Sequence, residues 1–123
     1  MSNRHCTTVR EPRRVCDSRR WLVSAFSERQ MLVEGWTATP RATQIAQDGR
    51  DSIAVDYWKP EILELNDTFI AAPTADAQRR LWDLGVRWVY VETTRPHAND
   101  LSPYATLGVR TPTASVWKLN PPK

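Results

Sequence analysis

PTADAQRRLWDLGVRWVYVETT, residues 73–94, decides the fold because it carries the signals of one complete helix-to-strand unit. Thr74 and Asp76 suit a helix start, Leu81 and Leu84 supply an apolar stripe, and Gly85 sits where helices commonly end in a left-handed residue. Residues 86–91 then read as a strand. Trp88, Val89, Tyr90 and Val91 are β-branched or aromatic, and so much apolar character on both faces predicts an interior strand rather than a solvent edge. Nothing comparable announces a reaction, so the fold is specified more sharply than any activity.

Working outward, residues 60–70 predict another helix, with Pro60 in its first turn and Ile62, Leu63, Leu65 and Phe69 as apolar positions. Residues 104–110 and 114–119 predict two strands. The short turn Thr111-Pro112-Thr113 should pair them as an antiparallel hairpin. Toward the N-terminus, residues 31–36 (MLVEGW) read as a first strand, preceded by a short amphipathic helix over residues 19–28 that uses Trp21, Leu22, Ala25 and Phe26. Between residues 37 and 58 no period is sustained, and Pro40 and Gly49 act as breakers. This predicts a long surface loop, a candidate lid, since loops beyond ~12–15 residues are usually functional or mobile.

The expected architecture is α/β: a small mixed sheet of about four strands with a two-helix crossover and a C-terminal β-hairpin, in the order α-β-α-α-β-β-β. The crossover follows if the strands at 31–36 and 86–91 are parallel. One domain over residues 21–123 is expected, preceded by an arm over residues 1–20, disordered or loosely held.

The charge is concentrated in that arm. The 123 residues carry a formal +3, but residues 1–20 alone hold six arginines against Glu11 and Asp17. The remainder then holds 11 basic and 12 acidic groups, so the folded part is not basic. Nucleic-acid binding through the arm ranks third among the functional readings, because the arm lacks aromatic residues on which bases could stack. Cys6 and Cys16 also lie there. With His5 they make too few ligands at the wrong spacing for a structural zinc site, so no metal and no cofactor is expected, and the two cysteines read as free thiols. No apolar run approaches the ~20 residues of a membrane span. Ser18-Arg19-Arg20-Trp21-Leu22-Val23 looks like a twin-arginine export signal, but its apolar stretch stops at Phe26, so the signal is rejected.

WLVSAFSERQMLVEGW, LELNDTFIAAPT, LWDLGVRWVYVETTRPHANDLSPYA and the terminal ASVWKL together resemble the C-terminal soluble domain of actinobacterial polytopic membrane proteins similar to lipid-linked-sugar glycosyltransferases. The resemblance covers about residues 21–119. It implies a strand ending in Glu-Gly-Trp at 31–36, a Leu-x-x-Gly-Val-x-Trp-Val-x-Val unit at 81–91 and a closing hairpin at 104–119. The family's catalytic acids lie between membrane helices and match nothing here, so no catalytic residue carries over. The implied role is that of a non-catalytic tail domain or fragment, positioning substrate or stabilising the membrane part. Its partners would be that membrane part or a lipid-linked sugar, at the extracytoplasmic face. A chain made alone and without an export signal would stay in the cytoplasm.

The alternative is a stand-alone carbohydrate- or small-ligand-binding module. Ligands of open α/β sheets sit beyond the carboxyl ends of parallel strands. That rule selects Glu34 and Trp36 after the first strand, and Glu92, Arg95 and His97 after the second. An indole face beside charged hydrogen-bonding groups suits a sugar. Each residue also has a structural reading: Glu34 in an ion pair with Arg87 or Arg95, Trp36 in the core, His97 in a solvated turn. A hydrolase using Glu34 and Glu92 would need a set spacing and a raised pKa, which the sequence does not indicate. Asn66 and Asp67 read as a solvated helix face. Of the six tryptophans, most are expected in the core, and any left exposed would mark an orphaned interface.

Overall fold

The computed structural model describes residues 6–10, 13–16, 27–33, 36, 39–49, 56–92 and 100–123, the first two segments by backbone alone. In chain order the elements are β1 (Cys6–Arg10), β2 (Arg13–Cys16), α1 (Pro40–Gln47), α2 (Pro60–Ala71), α3 (Ala75–Asp83), β3 (Trp88–Glu92), β4 (Ala105–Arg110) and β5 (Ala114–Leu119). They fall into two compact units, Arg4–Leu63 and Glu64–Lys123, whose boundary lies inside α2.

In Glu64–Lys123 the helix-to-strand passage is set by local chemistry. Thr74 caps α3, its hydroxyl accepting the Ala77 N–H at 3.2 Å. At the other end the Gly85 N–H reaches the Trp82 carbonyl and the Val86 N–H reaches that of Leu81, both at 3.0 Å. This is the paired pattern of a Schellman stop, and it requires the left-handed conformation that Gly85 adopts at φ +84°. Val86 and Leu81 are both buried, so the stop doubles as a packing contact between helix end and core.

The chain enters the sheet directly afterwards. β5 is central, with β3 on one side and β4 on the other, and every pairing is antiparallel. β4 and β5 form the C-terminal hairpin, closed by the Thr111 N–H donating to the Ala114 carbonyl at 2.8 Å. Phe69, Ile70, Leu81, Val89, Val91, Leu101 and Leu119 are nearly inaccessible and form the core of this unit, each aliphatic or aromatic side chain contributing about 1.5–3 kcal/mol of burial. Gln78, also buried, ties α3 to the sheet ends: its amide nitrogen donates to the Tyr104 carbonyl at 3.2 Å and to that of Asn120 at 2.9 Å.

Several expectations are corrected. Met31–Val33 and Trp36 are irregular rather than a strand, and among the described residues the sheet that holds the C-terminal hairpin has three strands where about four were expected. No parallel pair and no two-helix crossover occur among the described residues. The physical reason is that Val33 and Trp36, both 1 % exposed, are three residues apart. A strand would place them on opposite faces. The Trp36 carbonyl instead accepts the Thr39 hydroxyl at 2.8 Å, turning the chain into α1.

α1 lies within residues 37–58, the stretch read as a long surface loop. Its signals are local: Thr39 as cap, Pro40 at the first position, and Gly49 at φ +75° after the last turn. Ala42 and Ile45 turn inward to join Val33, Trp36, Tyr57 and Leu63 in the core of Arg4–Leu63. Within the arm read as disordered or loosely held, β1 and β2 pair antiparallel, with Cys6 opposite Cys16. The helix expected over residues 19–28 lies outside the described residues except at Ser27 and Glu28.

β3 is an edge strand rather than an interior one. Its exposure alternates: Val89 and Val91 are fully buried, whereas Trp88 is 52 % exposed and Tyr90 and Glu92 are half-buried. One face meets the core and the other does not.

Candidate functional site

Of the five residues proposed to line a crevice, the structure describes two, Trp36 and Glu92. Trp36 is a core residue of the Arg4–Leu63 unit, with its ring centroid 5.1 Å from that of Tyr57 in a tilted contact. At 1 % exposure it presents no face on which a sugar could stack. Glu92 is half-buried at the end of β3, in the other unit. Glu34, Arg95 and His97 lie outside the described residues. The possible ion-pair partner Arg87 is occupied locally: its guanidinium carbon stands 3.8 Å from the Trp82 ring centroid, and Nη1 donates to the Trp82 and Val86 carbonyls at 2.8 and 2.9 Å.

Asn66 and Asp67, read as a solvated face, are instead turned inward. Asn66 is fully buried and its amide nitrogen donates to the Asp67 carboxylate at 3.0 Å, with Asp67 half-buried. Adjacent residues on a helix point about 100° apart, so this bond fixes both side chains at the edge of the buried stripe.

The surface that stands out lies on the sheet. Register places Trp88 opposite Lys118, and Lys118 opposite Thr106; one step along, Tyr90 faces Val116 and Val116 faces Val109. These residues share the face away from Val89, Val91 and Leu119. Trp88 and Val109 are 52 % and 57 % exposed, with Tyr90 and Val116 half-buried between them. The strip is made continuous by the bulge between Leu107 and Val109. At that point Gly108 carries no side chain, and the Trp88 ring spans β5 to come within 3.6 Å of the site where a Cβ would stand. An aromatic and aliphatic strip bordered by Lys118 and Thr106 is suited to contact with another macromolecular surface.

The strip is hidden in the sequence as long as residues 86–91 read as apolar on both faces. The available signal was the alternation within β3, valines at 89 and 91 against aromatic or charged residues at 88, 90 and 92. The tryptophan expectation is corrected with it. Of the five described, Trp36 alone is buried; Trp58 is 48 % exposed on the Tyr57 ring, and Trp82 and Trp117 are half-buried. The Trp117 indole N–H donates to the Ser115 hydroxyl at 2.9 Å, on the opposite face from the strip.

One titratable group near the start of β4 is perturbed. The Asp100 carboxylate accepts the Ser102 hydroxyl at 2.7 Å and the Ser102 N–H at 2.9 Å, which hold its pKa below the ordinary aspartate value. Both bonds close a local turn. No helix among the described residues is long and apolar enough to cross a membrane. No known protein-family model, curated protein or solved structure matches the chain.

Proposed function

We propose that this chain is a non-catalytic accessory domain of a membrane glycosyltransferase-like protein, and that the outer face of β3, β5 and β4 docks on the membrane-embedded part. The observation that carries the reading is the strip Trp88, Tyr90, Val116 and Val109, which leaves a large aromatic ring half exposed. Tryptophan and tyrosine dominate the energetics of interfaces when they can be covered. The resemblance over residues 21–119 supplies the partner, placing the domain at the extracytoplasmic face and its role in stabilising the membrane part or positioning a lipid-linked sugar.

The test begins by reading the DNA that flanks this coding region for products with apolar stretches of about 20 residues. Such a product is then co-expressed with this chain and with its Trp88→Ala/Val109→Ser variant. The expected result is co-purification with the parent sequence and at least a roughly tenfold weaker association of the variant, about 1.4 kcal/mol. The absence of any membrane product, or equal association of both forms, overturns the reading. Thermal melting of the variant serves as the folding control, since exposed substitutions usually stay within about 0.5 kcal/mol.

A further inference from the structure

We infer that Cys6 and Cys16 form a reversible disulfide that closes the N-terminal hairpin and acts as a redox-controlled clasp on the arginine-rich segment. The observation is the strand register. β1 and β2 pair antiparallel with Cys6 opposite Cys16, Thr7 opposite Val15 and Thr8 opposite Arg14, and the ladder shifts only beyond Thr8. Directly opposed residues of an antiparallel pair have Cα atoms about 4.5 or 5.5 Å apart, according to their place in the hydrogen-bond pattern. Both distances fall within the span of about 4.4–6.8 Å that a disulfide bridges. Cys6 and Cys16 are the chain's two cysteines, and they occupy the first and last paired positions of this hairpin. A bond there would clamp the open end, opposite the turn.

The surrounding sequence favours the chemistry. Arg4 stands two residues before Cys6 and Arg14 two residues before Cys16. Positive charge stabilises the thiolate, the form that attacks. The oxidant is a low-molecular-weight disulfide. One cysteine thiolate attacks a sulfur of that disulfide, forming a mixed disulfide and releasing one small thiol. The second cysteine thiolate then attacks the cysteine sulfur of the mixed disulfide, closing the Cys6–Cys16 bond and releasing the second small thiol. The two cysteines lose two electrons, the small disulfide gains them, and the two thiol protons pass to the released thiolates. Closing a loop of about ten residues restricts the open hairpin roughly hundredfold. Oxidation would therefore hold Arg10, Arg13 and Arg14 on a fixed ladder, and reduction would release them.

The full chain, equilibrated in mixtures of reduced and oxidised glutathione and quenched by alkylation, gives the test through peptide mass mapping. The expected product is an intramolecular Cys6–Cys16 bond. Its equilibrium constant against glutathione should be higher in buffer than in concentrated urea by roughly tenfold, about 30 mV. The variant Cys16→Ser/Val15→Cys, whose partner is one place out of register, should lose that advantage. A smaller ratio between buffer and urea, equal closure by the out-of-register variant, bonds between chains, or glutathione adducts on both cysteines would each overturn the inference.

Discussion

Gln78 lies on the buried face of α3, and its amide nitrogen holds two carbonyls that belong to the start of β4 and the end of β5, Tyr104 at 3.2 Å and Asn120 at 2.9 Å. Gln78→Ala removes both bonds. The Tyr104 carbonyl keeps the Asn120 N–H at 2.9 Å, and Asn120 is half-buried, so water can replace part of what its carbonyl loses. Two hydrogen bonds at about 0.5–1.5 kcal/mol each, less a few tenths regained from alanine's helix propensity, give a loss of about 1–2 kcal/mol. Urea melts followed by circular dichroism read this directly, and the thermal midpoint should fall by roughly 5 °C or more. Gln78→Glu sharpens the test. Its carboxylate would face two carbonyl oxygens in a buried site, so its folded pKa must rise above the unfolded value of about 4.3. A raised folded pKa contributes stability that is present below the unfolded pKa and lost as pH rises through the folded one. Gln78→Glu should therefore be worse than Gln78→Ala at neutral pH and recover toward pH 4. Arg79→Ala, exposed on the same helix, is the control and should change little. A Gln78→Ala protein within about 0.5 kcal/mol of the parent, or a pH-independent Gln78→Glu defect, would refute the argument that these two bonds fasten the helix to the sheet.

Gly85→Ala should cost about 1 kcal/mol through the backbone alone, because φ is +84° while nothing lies within 4 Å of the added Cβ; an unchanged melt would show that the left-handed stop is not needed. Trp36→Ala should cost about 3–5 kcal/mol as a core truncation. The opposite pattern, full stability with loss of a saturable sugar interaction, would restore Trp36 as a binding platform. The Tyr57 hydroxyl has a raised pKa, first from burial and then from the negative charge of Glu61. Its contribution is present below the unfolded value of about 10 and is lost as pH rises through the higher folded pKa, so alkaline melts of the parent should lose stability that Tyr57→Phe retains.

The parts of the fold legible in sequence are those whose cause lies within a few neighbouring residues. A threonine hydroxyl two or three residues from the N–H it caps gives the start of α3, and a glycine at the last turn gives its stop. A short Thr-Pro-Thr turn between two β-forming runs gives the C-terminal hairpin. α1 uses the same vocabulary, Thr39-Pro40 and Gly49, but its single turn of apolar residues, Ala42 and Ile45, is too brief to show a period. The candidate site was less legible. The crevice rests on a parallel pairing of residues 31–36 with 86–91, and the irregular backbone at 31–33 and 36 removes that premise.

The sequence by itself determined where α2, α3 and the C-terminal hairpin begin and end, because caps, left-handed glycines and turns are satisfied by bonds between residues three or four apart. Tertiary structure alone decided that β5 lies between β3 and β4, that Trp36 is buried while Trp88 is half exposed, and that Gln78 bridges two distant carbonyls. Those outcomes depend on which segments meet across long stretches of chain. The entropy of closing such loops varies only with the logarithm of their length, so no local pattern selects the partner. The selection is made by burial of one face of the sheet, Val89, Val91 and Leu119, which leaves Trp88 and Val109 exposed on the other.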